Sequence, residues 1–315
     1  MKAIVCTKYG PPEVLQLQDV EKPAPKNKEV LIKIYATAVS ASDCMMRRFK
    51  VNYRRPMGLM AGLVMGFDRP RNPLLGGVLA GDVELAGKAV KQFKAGDQVF
   101  SFTTKSLFQV RVGTYAEYMC LPENGLIALK PSNITYEEAA AIPYGGMLAL
   151  YFLKKGNIQS GQNVLIYGAS GAIGTFAVQL ARHFGAKVTG VCSTTNLELV
   201  KSLGANAVID YTREDFTNSG QRYDLILNAV GKRKAQLQCE NSLTPNGKHI
   251  TVDDWLLMPQ FEDLLVLKEL AETGQLKVVI DRRYPLEQMV EAHRYVEQGH
   301  KKGNVVITVE HPSKT

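Results

Sequence analysis

The sequence predicts an α/β protein in which a helix-covered, parallel sheet follows a β-rich segment, and three observations carry that prediction. Up to about Pro122 the chain offers short β-like runs punctuated by Pro and Gly: KAIVCT, VLQLQDV, EVLIKIYATAV, GDQVFSF and TYAEYMCL. From about Gln162 to Ile280, apolar strands alternate with amphipathic helices, the pattern of strands joined by crossover helices. Size is the third: 315 residues, 45% hydrophobic and 22% charged, suffice for two domains.

Taken in order, the second texture reads NVLIY, the helix AIGTFAVQLARHFG, KVTGVC, the helix LELVKSLG, AVID, YDLILNAV, KHITV and the helix FEDLLVLKELAETG. A last helix, LEQMVEAHRYVEQG, precedes the strand-like NVVITVE, which need not join the same sheet. The N-terminus lacks an apolar signal core, and the most apolar stretch, AAAIPYGGMLALYFL, is short and broken by Pro143, Gly145 and Gly146, so no membrane association is expected. Five cysteines, Cys6, Cys44, Cys120, Cys192 and Cys239, show no CxxC pair; free, packed thiols in a reducing cytoplasm are the simplest account. The charge of +8 rests partly on the short runs RRFKVNYRRP, GKRK and GHKKG, which lack interleaved aromatics. Nucleic acid is therefore not expected, and a phosphorylated small molecule or cofactor suits the charge better.

The stretch GASGAIG, Gly168 to Gly174, joins NVLIY to the helix that follows. Glycines at such a junction let the backbone approach a pyrophosphate, while free amides and the helix dipole stabilise its charge. Read as G-x-G-x-x-G, the first position is Ala169, followed by Gly171 and Gly174. Read as the G-x-x-x-G-x-G of short-chain dehydrogenases, position 172 fails, and the one Tyr-x-x-x-Lys pair, Tyr151 with Lys155, lies upstream of the loop. The short-chain reading falls. After KVTGVC stand Ser193, Thr194, Thr195 and Asn196, neutral donors where a carboxylate would select an unphosphorylated ribose. NADP(H) is the expected cofactor, although Thr195 or Asn196 could equally start the next helix.

Beyond the loop, PPEVLQLQDVEKPAPKNKEVLIKIYATAVSASD, GTYAEY, EEAAAIPYGGMLAL, SGQNVLIYGASGAIGTFAVQLARHFGAKV, LGANAVIDY and EAHRYVEQGHKKGNVVITV together resemble the medium-chain dehydrogenases/reductases, in the zinc-independent quinone oxidoreductase and enone reductase branch. The resemblance runs through nearly the whole chain in order. It implies a GroES-like β-barrel domain, 1–123 plus 283–315, with NVVITVE returning to it, and an inserted Rossmann domain, 124–282, with cofactor in the cleft between them. A homodimer is implied as well. Between PNGKHITV and FEDLLVLKELAETG, where relatives carry a longer segment, only DDWLLMPQ intervenes, which puts the usual dimer edge in question.

Zinc-dependent relatives hold their metal with a Cys where this chain has Ser40 and a His where it has Gly77, and their four-cysteine lobe is missing here. No zinc is expected. Cys44, a lone thiol, reads as packing. Without a Lewis acid, a quinone or α,β-unsaturated carbonyl is an easier hydride acceptor than a simple ketone, because charge delocalises into a hydroquinone or enolate anion. No flavin motif accompanies the loop, so direct hydride transfer from NADPH is expected.

Ser170, Gly171, Ala172, Ile173 and Gly174 are expected around the pyrophosphate. By resemblance, Ser193, Asn196 and Tyr211 surround the 2′-phosphate, with Asn196 where relatives often have lysine, and Asn228, Val230 and Gly231 approach the nicotinamide ribose. Tyr211 could also simply cap a turn. His300 and Lys302 are candidates for a returning basic contact. At the substrate end the resemblance places Ser40, Ser42, Asp43 and Tyr53; Asp43 is read as orienting its surroundings. Pro143 and Gly145 to Met147 match the start of the interdomain helix. Two other readings stay open: a non-catalytic dinucleotide-binding protein, as crystallin members of this branch are, and a metal-recruiting alcohol dehydrogenase.

Overall fold

A computed structural model describes residues 1–49, 62–63, 65–104, 111–231, 239–253 and 260–311. Tyr53 and the central part of DDWLLMPQ lie outside the described residues. The chain divides into two units, Met1–Pro143 with Ile280–Thr315, and Tyr144–Val279.

In the first unit, β1 (Lys2–Cys6) pairs antiparallel with β2 (Leu15–Asp19). The long strand β3 (Glu29–Val39) organises a larger sheet. One edge of it takes β4 (Val78–Ala86), and β4 in turn takes β5 (Gln98–Phe102) and then β7 (Ile127–Leu129). Along the other edge lie β6 (Tyr118–Pro122) and β14 (Asn304–Thr308), the latter in register Val305 to Val39. NVVITVE thus returns to the first unit. Beyond it, β13 (Ile280–Pro285) pairs parallel with β14, a crossover made by α6 (Met289–Glu297). Met289, Ala292, His293 and Val296 of α6 are buried at helical spacing, packing a core with Ile32, Ile34, Leu79, Val99 and Ile307.

The second unit holds five parallel strands in the order β10 (Ala207–Asp210), β9 (Lys187–Cys192), β8 (Asn163–Tyr167), β11 (Tyr223–Asn228), β12 (Leu243–Thr251). Val164, Leu165 and Ile166 of β8 are wholly buried, as a strand covered on both faces requires. The helices are α2 (Tyr136–Lys155), whose residues up to Pro143 belong to the first unit, α3 (Ala172–His183), α4 (Leu197–Ser202) and α5 (Phe261–Glu272). From β8 the chain steps outward through β9 and β10, then crosses back to β11 on the other side of β8. The strand order thus reverses between β8 and β11, the place at which open parallel sheets take ligands beyond the carboxyl ends of their strands.

Three details depart from the sequence reading. The first unit runs on to Pro143 because β7, past the expected boundary at 123, pairs with β5, and it resumes at Ile280 because β13 pairs with β14. Helix α2 begins at Tyr136, so Pro143 lies inside it and removes one helical hydrogen bond rather than opening the helix. Arg47, the first residue of the basic run RRFKVNYRRP, is fully buried and so adds no charge to the surface.

Candidate functional site

The left-handed turn after β8 falls on Gly168, at φ +83°, and not on Ala169. Gly168 and Ala169 both donate their amides to Val191 O of β9, at 3.1 and 2.9 Å. Ala169 fits because Gly190 faces it: a Cβ on Gly190 would stand 3.1 Å from the Ala169 methyl and 2.4 Å from Val200 Cγ1. At Gly174 a Cβ would meet Gly168 O at 2.1 Å and Ala169 Cα at 2.7 Å, so this glycine lets α3 close onto the turn. Gly171 is different. Its nearest neighbour would be Gly168 O at 3.5 Å, leaving its outer face open. As N-cap of α3 it offers no side chain to the first-turn amides of Ala172, Ile173 and Gly174, which have no partner within the helix. Open space over uncapped amides suits a pyrophosphate. Gly145 of α2 braces the turn, since a Cβ there would meet Ala172 O at 2.4 Å.

Asn196 is buried at 6% exposure, and its Nδ2 donates to Ser170 Oγ and Ser193 Oγ, each at 3.1 Å. It ties the β8 loop to the β9 loop. Its Oδ1 meets no protein donor, an acceptor left for a group that enters the site. The resemblance places Asn196 around the 2′-phosphate; in the structure both its Nδ2 bonds go to the two serines. Ser193 keeps partial exposure, and Tyr211, 53% exposed, follows β10 with its amide on Cys192 O.

One residue here escaped the sequence reading. Asp210, buried at the end of β10, accepts from the Thr194 hydroxyl and from Thr212 N and Oγ1 at 3.0 and 2.7 Å, with Arg213 Nε 3.6 Å away. Thr194 foremost, then Thr212 and Arg213, hold its carboxyl below the usual range, against the opposing effect of burial. The signal lay in the D-x-T spacing of IDYT, an Asx turn.

Asn228, also wholly buried, accepts from Val230 N and Gly231 N, both at 3.1 Å, and donates to Gly231 O at 3.0 Å. It shapes the loop after β11 rather than presenting itself. Val230 is 45% exposed beside Gly168, where a Cβ would stand 2.5 Å from Val230 Cγ2. Gly231 sits at φ +107°.

In the first unit, β3 ends at Val39 and Ser40 caps α1 (Ala41–Arg47). Ser40 N and Oγ donate to Asp43 Oδ2 at 2.8 and 2.5 Å, and Asp43 N returns a bond to Ser40 Oγ at 3.3 Å, a capping box. Burial pushes the Asp43 carboxyl up to about 6, despite the bonds from Ser40. Ser42 is exposed on the first turn. Behind it, Cys44 Sγ lies 3.4 Å from His293 Nδ1. Burial raises the thiol to about 12 and lowers the imidazole to about 3, so the pair is neutral and packed. Arg47 Nη1 donates to Gly10 O at 2.8 Å and Nη2 meets Glu297, anchoring α1 to α6.

His300 and Lys302 are exposed on the loop between α6 and β14, and the Lys302 amide binds Asp281. The residue drawn inward is the neighbour, Lys301, which donates to Gly303 O at 2.6 Å and is lowered to about 8 by burial. The pairing of β14 with β3 brings this loop to the end of β3 that carries Ser40. Gly77 precedes β4, with nothing among the described residues within 4 Å of a Cβ placed there. Among the described residues no three His, Cys, Asp or Glu side chains gather as metal ligands.

Comparison with known proteins adds the relationships. The family model for zinc-binding dehydrogenases matches residues 172–253, a second of the same description matches 253–307, and that for the alcohol dehydrogenase GroES-like domain matches 26–131. The chain is 34% identical to 2-methylene-furan-3-one reductase of Solanum lycopersicum, over 98% of its own length and 79% of that protein. It is 32% identical, with the same coverage, to the chloroplastic NADPH-dependent alkenal/one oxidoreductase of Arabidopsis thaliana. Among solved structures, the quinone oxidoreductase from Coxiella burnetii superposes with a TM-score of 0.81 at 27% identity, covering 98% of this chain and 99% of that one.

Proposed function

From a chain that belongs to the medium-chain dehydrogenase/reductase family, in its quinone oxidoreductase branch, we infer an NADPH-dependent oxidoreductase that reduces a quinone or the conjugated C=C bond of an enone or alkenal. The observation that carries the cofactor half of this reading is the open face of Gly171 over the uncapped amides of α3. NADPH, when bound, supplies the hydride. Ala172 and Ile173 amides with Ser170 hold its pyrophosphate, Ser193 and Tyr211 border the 2′-phosphate, and the loop Asn228–Gly231 walls the nicotinamide ribose. Neutral hydroxyls after β9 favour the phosphorylated cofactor, and the nearby carboxylate of Asp210 is occupied by Thr194 and Thr212.

Reduction proceeds without zinc in this reading, supported by Ser40 and Gly77 standing where zinc-dependent relatives carry ligands. The acceptor itself takes up the developing charge, and solvent returns the proton. Asp43 is a positioning residue that fixes Ser40 at the start of α1. Free cysteines support a reducing, cytoplasmic setting, and no helix among the described residues is long and apolar enough to cross a membrane. A homodimer is the proposed assembly. The deciding experiment follows NADPH oxidation at 340 nm against a panel of quinones, enones and alkenals, with NADH in parallel and zinc measured in the purified protein. Turnover of simple ketones or alcohols with stoichiometric zinc would overturn the reading.

A further inference from the structure

A 2′-phosphate brings a charge of about −1.5 to −2, and hydroxyls alone meet it poorly. The position at which relatives often carry a lysine holds Asn196, which is neutral, buried and committed to Ser170 and Ser193. A cation must come from elsewhere. Parallel pairing sets Asp210 of β10 opposite Cys192 of β9, so residues 211–213 leave the sheet beside 193–195. The hydroxyls of Thr194 and Thr212, 3.1 Å apart, pin the two exits together. Next in the chain is Arg213, its side chain 75% exposed and its Nε 3.6 Å from Asp210 Oδ2. Among the described residues, Lys201 of α4 pairs with Glu198, and Lys187 opens β9 at its opposite end.

We propose that Arg213 is the residue that selects NADP(H) in this chain, its guanidinium meeting the 2′-phosphate in place of the lysine that Asn196 replaces. Asp210 is then part of the device. Occupied by two threonines and Arg213, its carboxylate orients the guanidinium instead of accepting a ribose hydroxyl. Planar, bidentate and always charged, a guanidinium suits a phosphate approached from solvent.

This inference rests on the NADP(H) reading above, and the test separates the two. Dissociation constants for NADPH, NADH and adenosine 2′,5′-bisphosphate are measured by fluorescence titration and calorimetry on the unaltered chain and on Arg213→Gln, Arg213→Glu and Arg213→Lys. Binding of NADPH and the bisphosphate is expected to weaken about tenfold in Arg213→Gln and further in Arg213→Glu, with NADH changed less than twofold. Arg213→Lys should retain most of the affinity, and the melting temperature should stay put because the side chain is exposed. If the unaltered chain prefers NADPH and Arg213→Gln binds it equally well, or loses NADPH and NADH alike, Arg213 is not the selector. An unaltered chain that binds NADH as tightly as NADPH overturns the cofactor reading and this inference with it.

Discussion

Replacing Gly174 or Gly171 by alanine separates what each glycine does. A methyl on Gly174 would stand 2.1 Å from Gly168 O and 2.8 Å from the Ala169 carbonyl carbon, and neither backbone atom can swing aside as a side-chain tip would. Alanine is worth ~0.5–1 kcal/mol over glycine inside a helix, but overpacking against fixed atoms costs ~1–3 kcal/mol, so the clash wins. A net loss of ~1–2 kcal/mol lowers the melting temperature by roughly 2–8 °C for a domain of this size. NADPH affinity falls too, because the first turn of α3 is pushed off its site. On Gly171 the methyl makes ordinary contact at 3.5 Å and φ is −78°, so stability shifts by less than ~1 kcal/mol, the difference between glycine and alanine at an N-cap. That methyl projects into the open space, and NADPH binding should weaken at least tenfold, ~1.4 kcal/mol. Differential scanning fluorimetry and NADPH fluorescence titration read the two effects. A Gly174→Ala protein that melts with the parent, or a Gly171→Ala protein that binds NADPH as tightly, would refute the division of labour.

Ser193→Glu places a carboxylate at the end of β9 and should weaken NADPH by an order of magnitude or more while sparing NADH, read as the ratio of their KM values. His293 carries a folded-state pKa of about 3 against 6.5 unfolded, so the stability it contributes is present above pH 6.5 and is lost as pH falls toward 3. Between pH 7 and 4 that amounts to roughly 3 kcal/mol, and urea midpoints of His293→Leu should fall less over this range than those of the parent. Asp43 works in the opposite sense: its stabilisation is present below pH 3.8 and lost as pH rises through about 6, so Asp43→Asn should flatten the opposing slope. Asp263 accepts from Lys154 of α2 and closes a capping box with Gln260 on α5, and Asp263→Ala should cost ~1–3 kcal/mol in denaturant unfolding.

Alternation and turn chemistry are local, which is why β8, α3, β9, α4, β10 and β11 could be read in order from the residues. The strand β13 could not. IDRRYP carries two arginines and no alternation, and it becomes a strand through its parallel pairing with β14. Boundaries suffered likewise, because β7 declares its unit only through β5.

Residue type and spacing by themselves marked the glycine turn between β8 and α3 and the neutral donors after β9, while the family resemblance supplied the two ligand positions that lack Cys and His. Which of the named residues present themselves and which hold others in place was decided by tertiary structure. Asn196 and Asn228 are buried and bond their neighbours, Lys301 is drawn in where Lys302 and His300 were expected to act, and Arg47 is an anchor. The register of β10 against β9 sets Asp210 beside the end of β9, with Arg213 paired to it. The reason is physical: a side chain's chemistry belongs to its own residue, whereas its burial and partners depend on strands and loops distant in the chain.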